Sequence, residues 1–431
     1  MLHRTRRRFL ALLGALCVAA PLAAQTVQVR AGRLLDPETG TVANDRLITI
    51  VDGRVTAITG WSGQPASAGL IDWSQYTVHP GLNDLHTHVA DGFAQGDDPA
   101  EALRHTAAET ILKAVETAGI TLSAGFTRVR DVGVYRGLSD VALRDAIESG
   151  QVDGPRMTVA GGYITIPGGG GTVTGARPGT VIGPEFRIGE VRGPAEATAR
   201  TRYLIEHGAD FIKLIATGAV LAIGSEPGSL ELTPAEMRAA CDEAVRLGRY
   251  CIAHAHGAAG IKAAMIAGAR SIEHASLIDD EGIALAKARG VWLDMDIYDG
   301  DWIEAEGTRQ AWPAEYLRKN RETTDAQRQG FAKAVKAGAR LSYGTDSGVY
   351  PHGRNARQFA YMVRFGMTPM QAIQSATTVA AAALGKGGDV GSLAPGHFAD
   401  MIAVRGDPLT DVSVLENVVA VIKGGKPVPP R

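Results

Sequence analysis

Two histidines two residues apart, His86 and His88, close the run His79-Pro-Gly-Leu-Asn-Asp-Leu-His-Thr-His88. On a strand, side chains at i and i+2 point to the same side, so both imidazoles can turn on one cation without bending the backbone. Groups of the same chemistry recur at the ends of later apolar runs: His254 and His256 after Tyr250–Ala253, His274 after Ser271–Glu273, and Asp346 after Leu341–Tyr343. Each alone has a plain structural explanation, as a core histidine or a helix-capping aspartate. Together they form the donor set of a metal centre. Lys213 stands apart, because in Phe211-Ile-Lys-Leu-Ile215 a charged amine has apolar neighbours on both sides. Burying it is costly unless it is paired or neutral. Reaction of the neutral amine with CO₂ is one escape, since a carbamate offers two oxygens, one to each of two metal ions.

These groups need elements to hold them, and the middle of the chain alternates between strand and helix patterns. The strand-like runs are His79–Leu85, Phe126–Arg130, Met157–Val159, Phe211–Ile215, Tyr250–Ala253, Ser271–Glu273, Val291–Met295 and Leu341–Tyr343. Most are separated by helical patterns. A helix is predicted from Asp98 and Pro99 to about Ala118, another over Val141 to Ser149, and Thr233-Pro-Ala-Glu236 combines a capping box with proline at the first helical position. Eight β/α units over residues 79–389 predict an α/β fold, a (β/α)₈ TIM-type barrel whose active site lies at the C-terminal ends of its strands. A doubly wound sheet is the alternative, but no Gly-x-Gly-x-x-Gly follows the first strand. The two ends differ from the middle. Residues 25–78 and 390–431 read as short strands with turns at Asp52-Gly53 and Gly424-Gly425, and predict a small β-sandwich made from both ends. The glycine-rich segment Gly161 to Gly171 is expected as a flexible loop over the site; without a following Gly-Lys-Ser/Thr it is not a phosphate cradle.

Composition narrows the class. The chain has 431 residues, 45% hydrophobic and 21% charged, with 53 Gly, 20 Pro and a net charge of -2, which gives no reason to expect nucleic acid as a partner. Arg4, Arg6, Arg7 and Arg8 precede the apolar run Phe9–Ala20, so residues 1–24 read as an export signal of twin-arginine type and the protein as periplasmic or secreted. The run is too short for a stable membrane anchor. Beyond it lie Cys241 and Cys251, expected as buried free thiols rather than a disulfide.

Pro80-Gly-Leu-Asn-Asp-Leu-His-Thr-His88, Gly125–Gly133, Gly208–Leu214, Ala253-His-Ala-His-Gly257, Ser271-Ile-Glu-His274, Tyr343-Gly-Thr-Asp346 and Gly391–Asp400 together resemble the amidohydrolase superfamily. Within it the chain is most similar to the metal-dependent branch of Xaa-Pro dipeptidases, carboxypeptidase-like enzymes and ochratoxin-hydrolysing amidohydrolases. The resemblance implies a binuclear site, with His86, His88 and Asp346 on one metal, His254 and His274 on the other, and carboxylated Lys213 bridging. His256 is then a neighbour of the substrate, although 254 and 256 can both face inward. Zinc suits these ligands, and manganese or cobalt could occupy the same set. The branch often has Gly-Gly-His-Gly after its third strand; here the run is Pro167-Gly-Gly-Gly-Gly171, without the histidine.

The implied chemistry is hydrolysis of an amide in a small N-acyl amino acid, dipeptide or ochratoxin-like molecule by a homo-oligomeric enzyme. Two cations sharing a water lower its pKa and polarise the carbonyl, while Asp346 acts as base and then acid. Tyr298, His352, Arg354 and Asn355 follow the last two strands and are candidates for substrate binding, Arg354 as a carboxylate clamp. A deaminase of this fold is disfavoured, because the position three residues on from the strand-five histidine, which would need Glu, is Gly257 or Ala259. A cyclic-amide hydrolase and a non-catalytic metal- or solute-binding protein are the other readings.

Overall fold

Period-two alternation at both ends of the chain produces strands that pair with one another. The computed structural model describes residues 26–63, 69–91 and 100–430, so the export signal and the Asp98-Pro99 helix start lie outside the described residues. In chain order the strands are β1 (Thr26–Asp36), β2 (Thr41–Val51), β3 (Arg54–Gly60) and β4 (Leu70–Pro80). Next come β5 (Leu82–Thr87), β6 (Phe126–Asp131) and β7 (Arg156–Val159), then β8 (Tyr163–Ile164), β9 (Ile212–Ile215) and β10 (Cys251–Ala255). They are followed by β11 (Ser271–His274), β12 (Trp292–Asp294), β13 (Arg340–Ser342), β14 (Met401–Val404), β15 (Val418–Lys423) and β16 (Lys426–Pro427). The first four and last three form one mixed sheet in the order β16-β15-β14-β4-β1-β2-β3. Its core includes Val29, Ile48, Val78 and Met401.

The middle of the chain is α/β with parallel sheets. One contains β5-β6-β7 and the other runs β13-β12-β11-β10-β9-β8, with helices between successive strands. The predicted strand His79–Leu85 is in fact two. His79 and Pro80 end β4, where His79 lies opposite Ile402, and β5 begins at Leu82. Gly81 allows the change of sheet, since a Cβ there would sit 2.1 Å from Thr127 Oγ1. Among the described residues a short 3-10 turn at Glu101–Arg104 precedes the α-helix Ala107–Ser123, which is capped by Thr106 and Glu109. Thr233 and Glu236 form the expected capping box, with Pro234 opening the helix Pro234–Arg246.

Cys241 and Cys251 correct the thiol expectation: they are joined as a disulfide. Cys241 is on the buried face of Pro234–Arg246, and the connection at 247–250 turns the chain back so that Cys251 enters β10 beside it, with Cα atoms 5.3 Å apart. Among the described residues no helix is long and apolar enough to cross a membrane.

Candidate metal centre

His86 is the penultimate residue of β5 and His88 follows its end, so the pleat presents both rings toward Asp346. The Nε2 atoms of His86 and His88 lie 3.2 and 3.1 Å from Asp346 Oδ1. Asp346 comes four residues after β13, at φ 55, with its backbone N donating to His86 O at 2.8 Å. Gly344 permits that approach, because a Cβ there would lie 1.9 Å from Asp294 Oδ1 and 2.8 Å from the His86 Cβ.

The second group comes from neighbouring strands. His254 is in β10, His256 just beyond it, and His274 ends β11 at φ 68; the three ring centroids are mutually 4.6 Å apart. His86 and His274 centroids are 4.8 Å apart, so the two groups face each other. Left-handed backbone at His274 and Asp346 costs on the order of 1 kcal/mol each, and such strain concentrates at functional sites. Lys213, 2% exposed in β9, lines the same cavity of about 110 Å³ as these histidines and Asp346.

The electrostatics fit a cation. Burial first, then neighbouring histidine, holds His254 and His256 well below the ordinary imidazole range, in the neutral form that ligates metal. Burial likewise brings Lys213 down to about 8. For His86, burial and Lys213 act downward, but Asp346 and Glu273 outweigh them and its value rises to about 10. Burial pushes Asp346 up, and His86 and His88 more than reverse it, so the carboxylate is ionised. Three sets of donor atoms, His86/His88/Asp346, His254/His256/His274 and His274/Asp296/Asp346, each lie within 4.8 Å of one another. They could hold metal ions.

Several groups around these sets were not singled out in the sequence. Asp296 Oδ2 is 2.8 Å from His274 Nδ1, and its other oxygen accepts from Gln327 Nε2 at 2.8 Å. Beneath His86, the buried Arg130 donates to both oxygens of Glu273 (2.9 and 3.0 Å) and to Asp294 (3.1 Å), while Glu273 Oε2 is 3.2 Å from His86 Nδ1. Tyr163 reaches His88 Nδ1 at 3.2 Å. Asp294-Met-Asp296 repeats the i, i+2 logic of the histidine pair and is the signal that could have found Asp296; Gln327 and Arg130 carry none.

The four proposed substrate residues do not face into this site, although His352 lies against the His88 backbone. Tyr298 is packed between Tyr350 and Tyr361, His352 lies against Thr121, and Arg354 is exposed over the Trp302 ring at 4.9 Å. Asn355 is wholly buried and donates to Asp84 (2.7 Å) and Ser347 (2.9 Å). None of the four lines the cavity. The glycine-rich segment does reach it, and is tied down: Gly170 N donates to both oxygens of Glu231, which also accepts from Ser225 Oγ at 2.7 Å.

Residues 77–428 match the model of the amidohydrolase family. The chain is 30% identical over 365 residues to an ochratoxinase of Aspergillus niger, covering 80% of this chain and 74% of that protein. Among solved structures, a Xaa-Pro dipeptidase with methionine bound in its active site is 34% identical, with a TM-score of 0.86 over 94% of this chain and 99% of that one. A prolidase complexed with N-methylphosphonate-L-proline is 27% identical, with a TM-score of 0.86 over 94% and 100% of the two chains. The chain therefore belongs to the amidohydrolase family and is a hydrolase of amide-type C–N bonds.

Proposed function

We propose that the protein is a binuclear metal-dependent amidohydrolase of small substrates in which a free carboxylate neighbours the scissile amide: N-acyl amino acids, Xaa-Pro-like dipeptides or ochratoxin-like amides. The observation that carries this reading is the pair of facing donor groups, His86/His88/Asp346 and His254/His256/His274, with Lys213 on the wall of the same cavity. The similarity to an ochratoxinase and to Xaa-Pro dipeptidase structures supports the substrate class. His86, His88 and Asp346 would hold one divalent cation and His254 and His274 the other, with Lys213, as a carbamate, reaching both. Zinc is the proposed metal, and when bound the two cations acidify water and polarise the amide carbonyl.

The remaining work falls to side chains. Asp346, ionised and facing the cavity, takes the proton of the attacking water and delivers it to the departing nitrogen, which leaves as a neutral amine. His256, fixed through Nδ1 to Ser276 Oγ at 2.8 Å, is placed to orient the carbonyl. Val220, Leu221, Ile303 and Val349 give the cavity an apolar side for an apolar or aromatic group, which also excludes water from the reacting atoms.

The finer architecture belongs to the same proposal. The two parallel sheets close as a (β/α)₈ barrel, supported by Leu85 N to Tyr343 O at one seam and Asp210 N to Val159 O at the other, both 2.8 Å. The seven-stranded sheet curls into the β-sandwich. An exported location is supported by the Cys241–Cys251 bond, since disulfides persist in oxidising compartments.

The test is amine release by the zinc-supplied protein from N-acyl amino acids, dipeptides including Xaa-Pro, aromatic amides and cyclic amides. Release from linear substrates with a free carboxylate is expected; release confined to cyclic amides overturns the substrate class. Lys213→Ala should lose bound metal and activity together. A variant that keeps two metals and full activity removes the bridging role.

A further inference from the structure

The opposite ends of the same strands surround a second cavity, of about 890 Å³. Arg128 and Arg156 lie near the starts of β6 and β7, Arg270 immediately before β11, Lys423 at the end of β15, and Lys386 beyond the last helix before β14. The candidate metal ligands occupy the C-terminal ends, so the two cavities are on opposite faces of the parallel sheets.

Arg128 is the informative residue. It is 8% exposed, its Nε has no hydrogen-bond partner, and among the described residues no carboxylate lies within ion-pair distance of its guanidinium. Its neighbours are engaged elsewhere and none forms an ion pair with it. Arg156 is itself engaged by both oxygens of Asp400 (2.8 and 3.1 Å) and stacked on Phe398. Arg270 lies over the Tyr250 ring at 4.0 Å, and Lys423 donates to the Gly154 carbonyl. Of the carboxylates on this wall, Asp210 is held by Arg144 at 2.9 Å and Asp389 by Arg54 at 3.1 Å, leaving Glu148. Burial acts most strongly against the charge on Arg128 and Arg156 adds to it, while Asp400, Asp389 and Glu148 favour the charge from beyond ion-pair distance without reversing the balance. An unpaired buried guanidinium among other cations is costly on its own and becomes favourable when an anion joins it.

We propose that this cavity binds a small, multiply charged oxyanion of the phosphate type, with Arg128 as its buried anchor and Arg270, Lys386 and Lys423 around it. The guanidinium fork suits two oxygens of a phosphate, and the volume leaves room for a diphosphate or a phosphorylated small molecule. Such a ligand ties the seven-stranded sheet, through Lys423, to the parallel sheets.

The test is a titration of the zinc-loaded protein with inorganic phosphate at constant ionic strength, followed by calorimetry and by thermal melting. Wild type should bind saturably and melt at higher temperature with phosphate. Arg128→Met should bind at least tenfold more weakly, yet melt no lower than wild type without phosphate, because it removes an unpaired charge. The exposed pair Arg270→Gln and Lys386→Ala, which breaks no ion pair and removes only the stacking of Arg270 on Tyr250, should also weaken binding severalfold. A phosphate response unchanged in these variants would place the anion elsewhere, the metal site included, and overturn the proposal. Absence of saturable binding overturns it too, as does an Arg128→Met protein that melts well below wild type and binds phosphate as tightly.

Discussion

The orientation of His274 is set by one contact. Its Nδ1 faces Asp296 Oδ2 at 2.8 Å, and Gln327 holds the other oxygen of that carboxylate. A carboxylate behind an imidazole fixes the tautomer and turns Nε2 toward the cavity, and loss of such a partner typically costs 10- to 100-fold in metal affinity or activity. Asp296→Asn should therefore retain the fold by circular dichroism but bind zinc about 10- to 100-fold more weakly, measured by competition with a chelator. Unchanged affinity would mean that His274 is oriented by packing alone. At this scale the sequence was readable where spacing carried the information. His86 and His88 share a face because strands alternate, and Lys213 stood out against its apolar neighbours. Asn355 and Arg354 were not readable, because no period governs the direction of a loop side chain. Asn355 turns inward to Asp84 and Ser347, and Arg354 outward to Trp302.

At the scale of elements, the boundaries that local chemistry marks were legible and those set by distant partners were not. The Thr233 cap is written in four residues. The break at Gly81 is not, since His79 to Leu85 reads as one apolar run and only the crowding against Thr127 separates β4 from β5. The pairing of Cys241 with Cys251 likewise depends on how a helix docks on the next strand. That bond closes a loop with a sequence separation of 10 residues. The chain-entropy estimate for a loop of this size is about 2 to 3 kcal/mol. Replacing both cysteines by serine should lower the unfolding free energy by that amount in urea, with little change in amine release per bound metal, because the bond lies behind β10 rather than in the cavity. A double variant as stable as the oxidised wild type would show that the thiol pair contributes only its packing.

For the molecule as a whole, His79 is one of the buried histidines through which stability depends on pH, and it lies outside the candidate metal centre. It lies in β4, the strand that joins β1 on one side and β14 on the other, and it is completely buried. Its Nδ1 donates to Pro80 O at 2.9 Å, while Nε2 has no partner. Burial is the main cause that brings its pKa from 6.5 down to about 4, against the opposing effect of that hydrogen bond. Above pH 6.5 the ring is neutral in both folded and unfolded chains and contributes no slope. As pH falls below 6.5 the unfolded chain takes up a proton that the folded one refuses until about 4, so stability is lost across that window. The loss at pH 5.5 relative to 7.5 comes to about 1.4 kcal/mol for this one group. His79→Gln keeps a donor for Pro80 O without a titrating site. Urea unfolding of both proteins at the two pH values, in the same metal state, should show a fall smaller by about that amount in the variant, since every other histidine contributes equally to both and cancels. Because β4 carries the pairing of both ends of the chain, its protonation requires opening that sheet rather than fraying an edge. Equal falls in the two proteins would show that His79 takes up its proton in the folded state.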